Sequence, residues 1–569
     1  MIIATARSNS VDLLNEVTQN IKERNTYISQ DQNNMSSDRI EIRSSPQTIP
    51  VFQGYGAYYA DIYIGSPPQR QTVMLDTGSE HVALPCTGCK NCGDTHTDRP
   101  FDPSASITYR ELSCSECLGG NCSQDRATCN VSSRYVEGSS WLGLEIEDII
   151  YSGGFHNEAL DIQTPMQDDD DYFSGAIPSN ALKYAYPLKF SCMKSNSGEF
   201  KIQKAAGIAG LNMKRGSLWK QMWDNGAISK KQFSICLRKH PFVSFKKEDR
   251  PVGTMTLGGI DDRLHLSEMV LMDLQRSNSG YYHVNIRKLL VIPGGGQRLR
   301  GDAPDLDLSR GLVVEDNERL MNRLGVIVDS GTTNTILAAE LKPAFDQAWI
   351  EIMGFPFPED AVDVSSEELK KWPTIIFQMK GSGEDAFVAF PSSSYMSLNL
   401  STGQYTPSLL MHNEYGSSIL GSNFMRYHNV LFDLERYLIG MAESNCDYQE
   451  LITGTRSDLP EPYISMQNAN NMMMKENMDS LCESEPFVCL VTTLLKISTT
   501  LLKISICVCL MAIVFSTIQC FATAVKQCNR ASQEDDVQVG KAKQTIICSN
   551  DGERLIPRYL QFRDGNCEV

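Results

Sequence analysis

VMLDTGS at residues 73–79 and VIVDSGT at residues 326–332 decide the fold of this chain of 569 residues. In each stretch, three apolar residues predict a buried strand that ends at an aspartate and a glycine turn. The two aspartates are Asp76 and Asp329, one in each half of the chain. Two carboxyl groups that lie close together cannot both ionise, so they share a proton and their pKa values split. One group can then take a proton from water while the other polarises a carbonyl.

The composition narrows the class of protein around these motifs. Glycine is plentiful, with 40 residues, and short apolar runs alternate with Gly, Asn, Asp and Ser, which predicts a mostly β protein. The length of 569 residues allows two or three domains. The net charge of −17 argues against a nucleic-acid partner, because phosphates attract Lys and Arg. The same charge fits both solubility in an acidic lumen and attraction for basic substrates.

Cysteines cluster directly after the first motif, with seven between residues 86 and 129 at C-x2-C-x2-C and C-x2-C spacings. Such spacings suit zinc or an iron–sulfur cluster, but they also suit disulfides in a secreted domain. No His-x3–5-His pattern accompanies them, and the segment carries glycosylation sequons at Asn121 and Asn130. Disulfides are therefore favoured and no metal is expected. Three more cysteines give even numbers for pairing: Cys192, Cys236 and Cys446.

A membrane anchor is predicted at residues 504–525, which carry no charge and are rich in Ile, Val, Leu, Cys, Phe and Ala. At about 1.5 Å per residue, a helix of this length crosses a hydrocarbon core of about 30 Å. A buried helix is the alternative, although an uncapped apolar run of this length is unusual in a soluble domain. Lysines on both sides leave the orientation open. The sequons and cysteines favour a lumenal or extracellular N-terminal part, yet residues 1–7 lead into no signal-peptide core.

These features divide the chain into segments, with a lobe boundary at a junction of Lys, Arg and Pro near residues 240–252. The predicted order is a leader, propeptide or disordered arm at 1–50, an N-terminal lobe at 51–245 with the cysteine-rich insertion at 86–129, a C-terminal lobe at 246–448, a stalk at 449–503, the transmembrane helix at 504–525 and a tail at 526–569.

An internal repeat links the two lobes. AGIAGL at residues 206–211 and SILGS at residues 418–422 each follow one of the aspartate motifs. Each is predicted to form a strand beneath the catalytic turn, where its glycine allows close backbone approach.

Together these pieces resemble the pepsin-like aspartic proteases over residues 51–448. The resemblance rests on both aspartate motifs and on four shorter stretches: TLGGID at 256–261, ILG at 419–421, VLFD at 430–433 and IGMA at 439–442. The cysteine cluster looks like the insertion of nepenthesin-type enzymes, and cysteines plus anchor look most like the plasmepsin V group. The resemblance implies an all-β, bilobal fold followed by a single transmembrane helix, with endopeptidase activity that needs no cofactor.

The resemblance also implies a role for each residue of the site. Asp76 and Asp329 are the implied catalytic pair. Thr77 and Ser330 are implied to form hydrogen bonds between the two turns beneath this pair, an arrangement called the grip below. The remaining implied residues are Ser79 and Thr332 on the outer carboxylate oxygens, Gly78 and Gly331 in the turns, and Tyr135, Glu137 and Gly138 in the flap.

The flap region departs from pepsin in one position. Pepsin has a tryptophan four residues after the serine of its first motif, and this tryptophan bonds the flap tyrosine. Ala83 occupies that place here, so the anchoring of Tyr135 must differ. The plasmepsin V group has Tyr-x-Glu-Gly-Ser in the flap and selects arginine near the scissile bond. Glu137 is therefore a candidate for pairing with a basic substrate side chain, and a solvent-facing glutamate at a hairpin tip is the alternative.

We expect a monomeric, membrane-anchored aspartic endopeptidase that acts on extended peptides, with its catalytic part in an endomembrane lumen or outside the cell. Water held between the two aspartates attacks the scissile carbonyl without a metal or a covalent intermediate. A catalytically silent peptide-binding or inhibitor protein on the same fold is the alternative, since a fold does not fix a function. Such relatives usually lose a dyad motif, and here both motifs are intact.

Overall fold

The computed structural model describes residues 46–453, apart from gaps at 124–127, 153–154, 157–184, 239–250, 276–277, 295–309, 400–401 and 413–416, and also a hairpin at 561–563 and 566–568. Residues 46–453 fall in one compact unit and the hairpin falls in another. Almost all of the predicted leader and stalk, the predicted transmembrane helix at 504–525 and most of the tail lie outside the described residues. Within the described residues, no helix combines the length and the apolar character that a membrane span requires.

Strands dominate the described chain, which confirms the mostly β fold predicted from the sequence. The first twelve strands are β1 Gln47–Gln53, β2 Tyr58–Ile64, β3 Gln69–Asp76, β4 Val82–Lys90, β5 Arg110–Glu111, β6 Asn121–Cys122, β7 Cys129–Arg134, β8 Ser140–Ser152, β9 Phe155–His156, β10 Tyr186–Ser197, β11 Gly207–Gly210 and β12 Gln232–Leu237. The later strands are β13 Gly253–Leu257, β14 Val270–Asp273, β15 His283–Val284, β16 Ile286–Ile292, β17 Leu312–Glu315, β18 Val326–Val328, β19 Thr335–Leu337, β20 Thr374–Met379, β21 Ala386–Phe390, β22 Met396–Leu398, β23 Tyr405–Pro407, β24 Leu409–Met411, β25 Ser418–Leu420, β26 His428–Asp433, β27 Leu438–Glu443, β28 Gln561–Arg563 and β29 Asn566–Glu568.

Helices are short and lie between the strands. They are α1 Leu218–Asp224, α2 Glu318–Met321, α3 Lys342–Met353, α4 Ser366–Leu369, α5 Ser392–Tyr395, α6 Ser422–Met425 and α7 Tyr448–Thr453.

The two halves of the chain repeat one strand arrangement. In the first half, neighbouring strands follow the order β2, β3, β11, β4 and β10, with antiparallel, parallel, antiparallel and parallel pairings. In the second half, β15, β18, β25, β19 and β24 follow with the same sequence of pairings. The strand that ends at each aspartate motif is thus second in its set. Its neighbour is β11, which ends at Gly210, or β25, which is followed directly by Gly421. The internal repeat detected in the sequence extends over five strands in each half.

A shared antiparallel sheet joins the halves. Its strands run in the order β14, β27, β26, β12, β13 and β1, so that β12 of the first half pairs with β26 of the second. Phe233 and Phe432 stack on this sheet with ring centroids 4.7 Å apart. A disulfide between Cys236 and Cys446 closes the same junction. This sheet fixes the positions of the halves relative to each other.

Both ends of the folded region extend beyond the predicted lobe boundaries. The strand β1 begins at Gln47, inside the segment predicted as a leader, and α7 reaches Thr453 with Leu451 buried, inside the predicted stalk. The start of β1 is polar and has no apolar pattern. Its polar groups are nevertheless buried, because Gln47 Nε2 donates to Ala227 O at 3.0 Å and Thr48 Oγ1 lies 3.1 Å from a threonine hydroxyl on β13.

The cysteine-rich insertion is held by disulfides, which confirms the preferred interpretation of its spacing. All of its seven cysteines are paired, four bridges in total with Cys192: Cys86–Cys192, Cys89–Cys92, Cys114–Cys122 and Cys117–Cys129. The buried carboxylate of Glu145 on β8 accepts hydrogen bonds of 2.7–2.8 Å from three successive backbone N–H groups of residues 118–120. These contacts fasten the insertion to the strand that leaves the flap.

Candidate active site

Two glycine turns bring the carboxyl groups of Asp76 and Asp329 together. Asp76 is the last residue of β3, and Asp329 directly follows β18. Asp76 and Asp329 are both buried, each with 7% of its surface exposed. A Cβ atom built on Gly331 would lie 2.5 Å from Asp76 Cγ, and one on Gly78 would lie 2.9 Å from Asp329 Oδ1. Each turn therefore touches the opposite carboxyl group, and only glycine leaves room for this contact.

Hydrogen bonds orient each carboxyl group in the same way. The N–H groups of Gly78 and Gly331 donate to the Oδ1 atoms of Asp76 and Asp329 at 2.8 and 3.0 Å. The outer Oδ2 atoms accept bonds from hydroxyl groups three residues further on. Thr332 Oγ1 donates to Asp329 Oδ2 at 2.6 Å, and the Ser79 hydroxyl donates to Asp76 Oδ2.

Thr77 and Ser330 form a reciprocal grip beneath the pair. Thr77 N donates to Ser330 Oγ at 3.1 Å, and Ser330 N donates to Thr77 Oγ1 at 2.9 Å. The two hydroxyl groups donate in turn to backbone carbonyls of the opposite strands, to Val328 at 3.1 Å and to Leu75 at 2.8 Å. Both residues are buried, so these four bonds are shielded from water. They fix the separation of the two turns.

The glycine-bearing strands pass beneath the turns, as the internal repeat predicts. Leu211 N donates to Asp76 O at 2.8 Å, and Asp329 N donates to Leu420 O at 3.0 Å. A Cβ on Gly210 would lie 2.6 Å from Glu80 O, and one on Gly421 would lie 2.7 Å from Thr332 O. These positions must be glycine because the backbone of the turn occupies the space of a side chain.

The electrostatics of the site favour a protonated carboxyl group. Burial raises the pKa of Asp76 well above its usual value, and the neighbouring charge of Asp329 raises it further. Hydrogen bonds from Ser79 and Gly78 oppose this shift. Burial and the charge of Asp76 also raise the pKa of Tyr135 to about 12, so its hydroxyl stays protonated. A pair that holds one proton can act as acid and base in turn.

The flap residues lie on the hairpin of β7 and β8. Tyr135 starts its turn, and its N–H donates to Ser139 O at 2.8 Å. The Tyr135 hydroxyl lies 3.4 Å from Ser79 Oγ, directly beside the pair of carboxyl groups. Gly138 has a φ of 102°, which the turn requires and which favours glycine. Glu137 is exposed at the tip and makes no ion pair with any residue in the described ranges.

Sequence reasoning missed the residue that bonds the flap tyrosine. Trp141 on β8 donates from its indole Nε1 to the Tyr135 hydroxyl at 3.3 Å. The absence of a tryptophan at position 83 signalled that another anchor was needed, but it did not say which residue supplies it. The candidate lies only six residues beyond Tyr135 in the sequence.

The geometry defines the class of site as a pair of coupled carboxyl groups, each in a glycine turn, under a hairpin with a tyrosine. This is the arrangement of a protein that performs acid–base catalysis with two aspartates. Comparison with known proteins agrees. The model of the family described as eukaryotic aspartyl protease matches residues 187–444, and that described as xylanase inhibitor N-terminal matches residues 58–259. The chain belongs to the pepsin-like aspartic protease family.

Individual relatives are similar at modest identity. Aspartic protease 5 of Toxoplasma gondii is 25% identical over 431 residues, which cover 69% of this chain and 36% of that protein. Plasmepsin V of Plasmodium falciparum is 26% identical over 235 residues, 40% of this chain and 34% of that protein. Aspartic proteinase nepenthesin-2 of Nepenthes gracilis is 23% identical over 428 residues, 71% of this chain and 81% of that protein. The chain thus spans about a third of the length of the first two relatives.

Proposed function

We propose that this protein is an aspartic endopeptidase that hydrolyses internal bonds of extended peptides. The observation that carries the proposal is the pair of carboxyl groups of Asp76 and Asp329, held in matching turns and joined by the buried bonds of Thr77 and Ser330. Each carboxyl group accepts hydrogen bonds that orient it for the reaction. Stability of the fold alone does not require such a complete set of donors.

The proposed mechanism follows from the position of the proton. A water molecule between the two carboxyl groups gives a proton to the ionised one and attacks the scissile carbonyl carbon. The protonated carboxyl group polarises the carbonyl oxygen and stabilises the tetrahedral diol. A proton then passes to the leaving nitrogen, and the C–N bond breaks. The Tyr135 hairpin closes over the peptide and excludes bulk water.

Asp76→Asn and Asp329→Asn test this mechanism, because an amide cannot take part in the proton transfer. Each variant should lose peptide cleavage by several orders of magnitude while retaining the circular dichroism spectrum and a cooperative thermal transition. Asp360→Asn, at an exposed position on the surface, is the matched control and should cleave normally. Substantial cleavage by either dyad variant would count against the proposal.

Preference for a basic residue near the scissile bond is the proposed role of Glu137. Its carboxylate lies exposed at the flap tip, free of ion pairs with the residues of the described ranges, so a substrate guanidinium can approach it. Glu137→Gln should lower the ratio of kcat/KM for an arginine peptide over its neutral analogue by about tenfold, the order expected for one charge-assisted hydrogen bond. Glu111→Gln, at an exposed site on β5, serves as control. An unchanged ratio would leave Glu137 as a solvent-facing residue.

A lumenal location with a membrane anchor at residues 504–525 is proposed for the monomeric enzyme. Five disulfides support an oxidising compartment. Two of the sequons place Asn121 and Asn130 directly opposite each other in the ladder of β6 and β7. Both residues are exposed, which makes them accessible N-glycan acceptors. Expression in a eukaryotic secretory system should give a mobility shift with peptide N-glycosidase that Asn121→Gln with Asn130→Gln reduces, since Asn34 and Asn399 stand in the same N-x-S pattern and can account for the remainder. Release of the protein from membranes by alkaline carbonate would contradict the proposed membrane anchor.

The alternative is a peptide-binding or inhibitor protein on the same fold. One observation favours it: the family model that matches residues 58–259 is described as xylanase inhibitor N-terminal. Incubation with a peptide library separates the two functions, since an inhibitor retains peptides intact whereas an endopeptidase releases new N-termini. Sensitivity of this release to a pepstatin-type compound would tie it to the two aspartates.

A further inference from the structure

Trp141 lies where the flap joins the body of the protein and contacts the flap tyrosine directly. It is the second residue of β8, pairs with Ser133 on β7 and with Asn196 on β10, and is 2% exposed. Its indole Nε1 lies 3.3 Å from the Tyr135 hydroxyl oxygen. Because an indole N–H can only donate, the Tyr135 oxygen accepts this bond and keeps its own proton for a partner in the cleft.

Close packing prevents the indole from turning away. Trp141 belongs to a small cluster of buried side chains beneath the flap, together with Ala83, Val131, Met193, Phe200 and Ile208. Tyr135 packs on the same cluster, with its ring 5.3 Å from that of Phe200. The small side chain at position 83 is completely buried in this cluster, so the space beneath the flap is available to the indole from β8.

The other side of Trp141 is closed by the loop that follows the first catalytic motif. The ring of His81 meets the indole edge-on, with centroids 6.0 Å apart. His81 in turn touches the cysteine-rich insertion, since a Cβ on Gly119 would lie 2.9 Å from His81 Nε2. The indole is therefore fixed between the base of the flap and His81, which lies two residues after Ser79 and directly before β4.

We propose that Trp141 is the positioning residue of the flap, which holds the hydroxyl of Tyr135 beside Ser79. The inference deepens the proposed endopeptidase function and rests on it. In pepsin the bonding tryptophan follows the first motif, outside the flap. Here it belongs to the second strand of the flap hairpin, so the bond joins two residues of one hairpin. The donor that Ala83 cannot supply is therefore carried by the flap itself.

A double-mutant cycle of Trp141→Phe and Tyr135→Phe tests this coupling. Phenylalanine keeps a buried ring but removes the N–H or the hydroxyl group. Each single variant should lower kcat/KM by about 2- to 10-fold, the effect of one buried hydrogen bond on the transition state. The double variant should lose no more than the more impaired single variant, because both substitutions remove the same bond. Trp349→Phe is the matched control, since its buried indole N–H has no partner among the residues that the structure describes.

Multiplicative losses in the double variant would overturn the inference, because they would mean that the two residues act independently. A normal rate for Trp141→Phe would overturn it as well. Hydrogen exchange of the amides of residues 135–139 gives a second measurement that does not depend on activity, and Trp141→Phe should accelerate it while Trp349→Phe leaves it unchanged. Unaltered exchange would also count against the role of Trp141. An inactive wild-type protein with the expected exchange result would refute the proposed function and leave the positioning role standing.

Discussion

Replacing Ser330 by alanine removes a hydroxyl group that serves both halves of the protein at once. Ser330 Oγ accepts from Thr77 N at 3.1 Å and donates to Leu75 O at 2.8 Å. Both bonds cross from the second catalytic turn to the first, and both ends are buried. The substitution changes no other contact of the turn, since the backbone bond from Ser330 N to Thr77 Oγ1 remains possible.

The expected cost can be estimated from these two bonds. The Thr77 N–H is left buried without an acceptor, which costs about 1–3 kcal/mol, and loss of the bond to Leu75 costs about 1 kcal/mol. The free energy of unfolding should therefore fall by about 2–4 kcal/mol, a large part of the ~5–15 kcal/mol typical of folded proteins. The rate should fall more steeply, because a displacement of about 1 Å in the geometry of reacting groups can cost about a hundredfold.

Equilibrium unfolding in urea, followed by tryptophan fluorescence with the disulfides intact, measures the first effect, and kcat on a cleavable peptide measures the second. Ser330→Thr is the matched control because it keeps the hydroxyl group. Ser330→Ala with an unchanged urea midpoint and an unchanged kcat would refute the assignment of the grip as the element that fixes the two turns.

Three further predictions concern other parts of the molecule. Burial raises the pKa of Asp148, so the contribution of this group to stability is fully present below its ordinary pKa of about 4 and is lost as pH rises through the raised value. Asp148→Asn should remove this part of the pH dependence in urea titrations at several pH values, and an unchanged pH dependence would contradict it. Gly331→Ala should abolish cleavage with little loss of secondary structure, because the Cβ of the alanine would collide with Asp76. Normal kinetics would contradict this and would mean that the turn can shift to make room for the methyl group. Removing the Cys236–Cys446 bridge by serine at both positions should lower the free energy of unfolding by about 2–5 kcal/mol in the same assay, and an unchanged midpoint would assign no stabilising role to the bridge.

Local sequence patterns were sufficient to predict most of the fold and the central residues of the site. An apolar triplet before an aspartate and a glycine turn predicts a buried strand that presents a carboxyl group, and its repetition predicts a pair. The cysteine spacing favoured disulfides, and all seven clustered cysteines are paired. The boundaries were less accurate: β1 begins at Gln47 because its polar side chains find buried partners, which no hydropathy pattern reveals.

Sequence by itself determined which residues have the chemistry for the reaction, because a carboxyl group, a hydroxyl group or a flexible glycine is a property of one residue and its neighbours. Only the tertiary structure decided which of these residues meet. The bonds between Thr77 and Ser330 join positions 253 apart in the chain, the pairing of the cysteines depends on strand register, and the donor to Tyr135 is Trp141 rather than a residue at position 83. Such contacts arise from how sheets pack, and the same residue types at the same spacings are compatible with several packings.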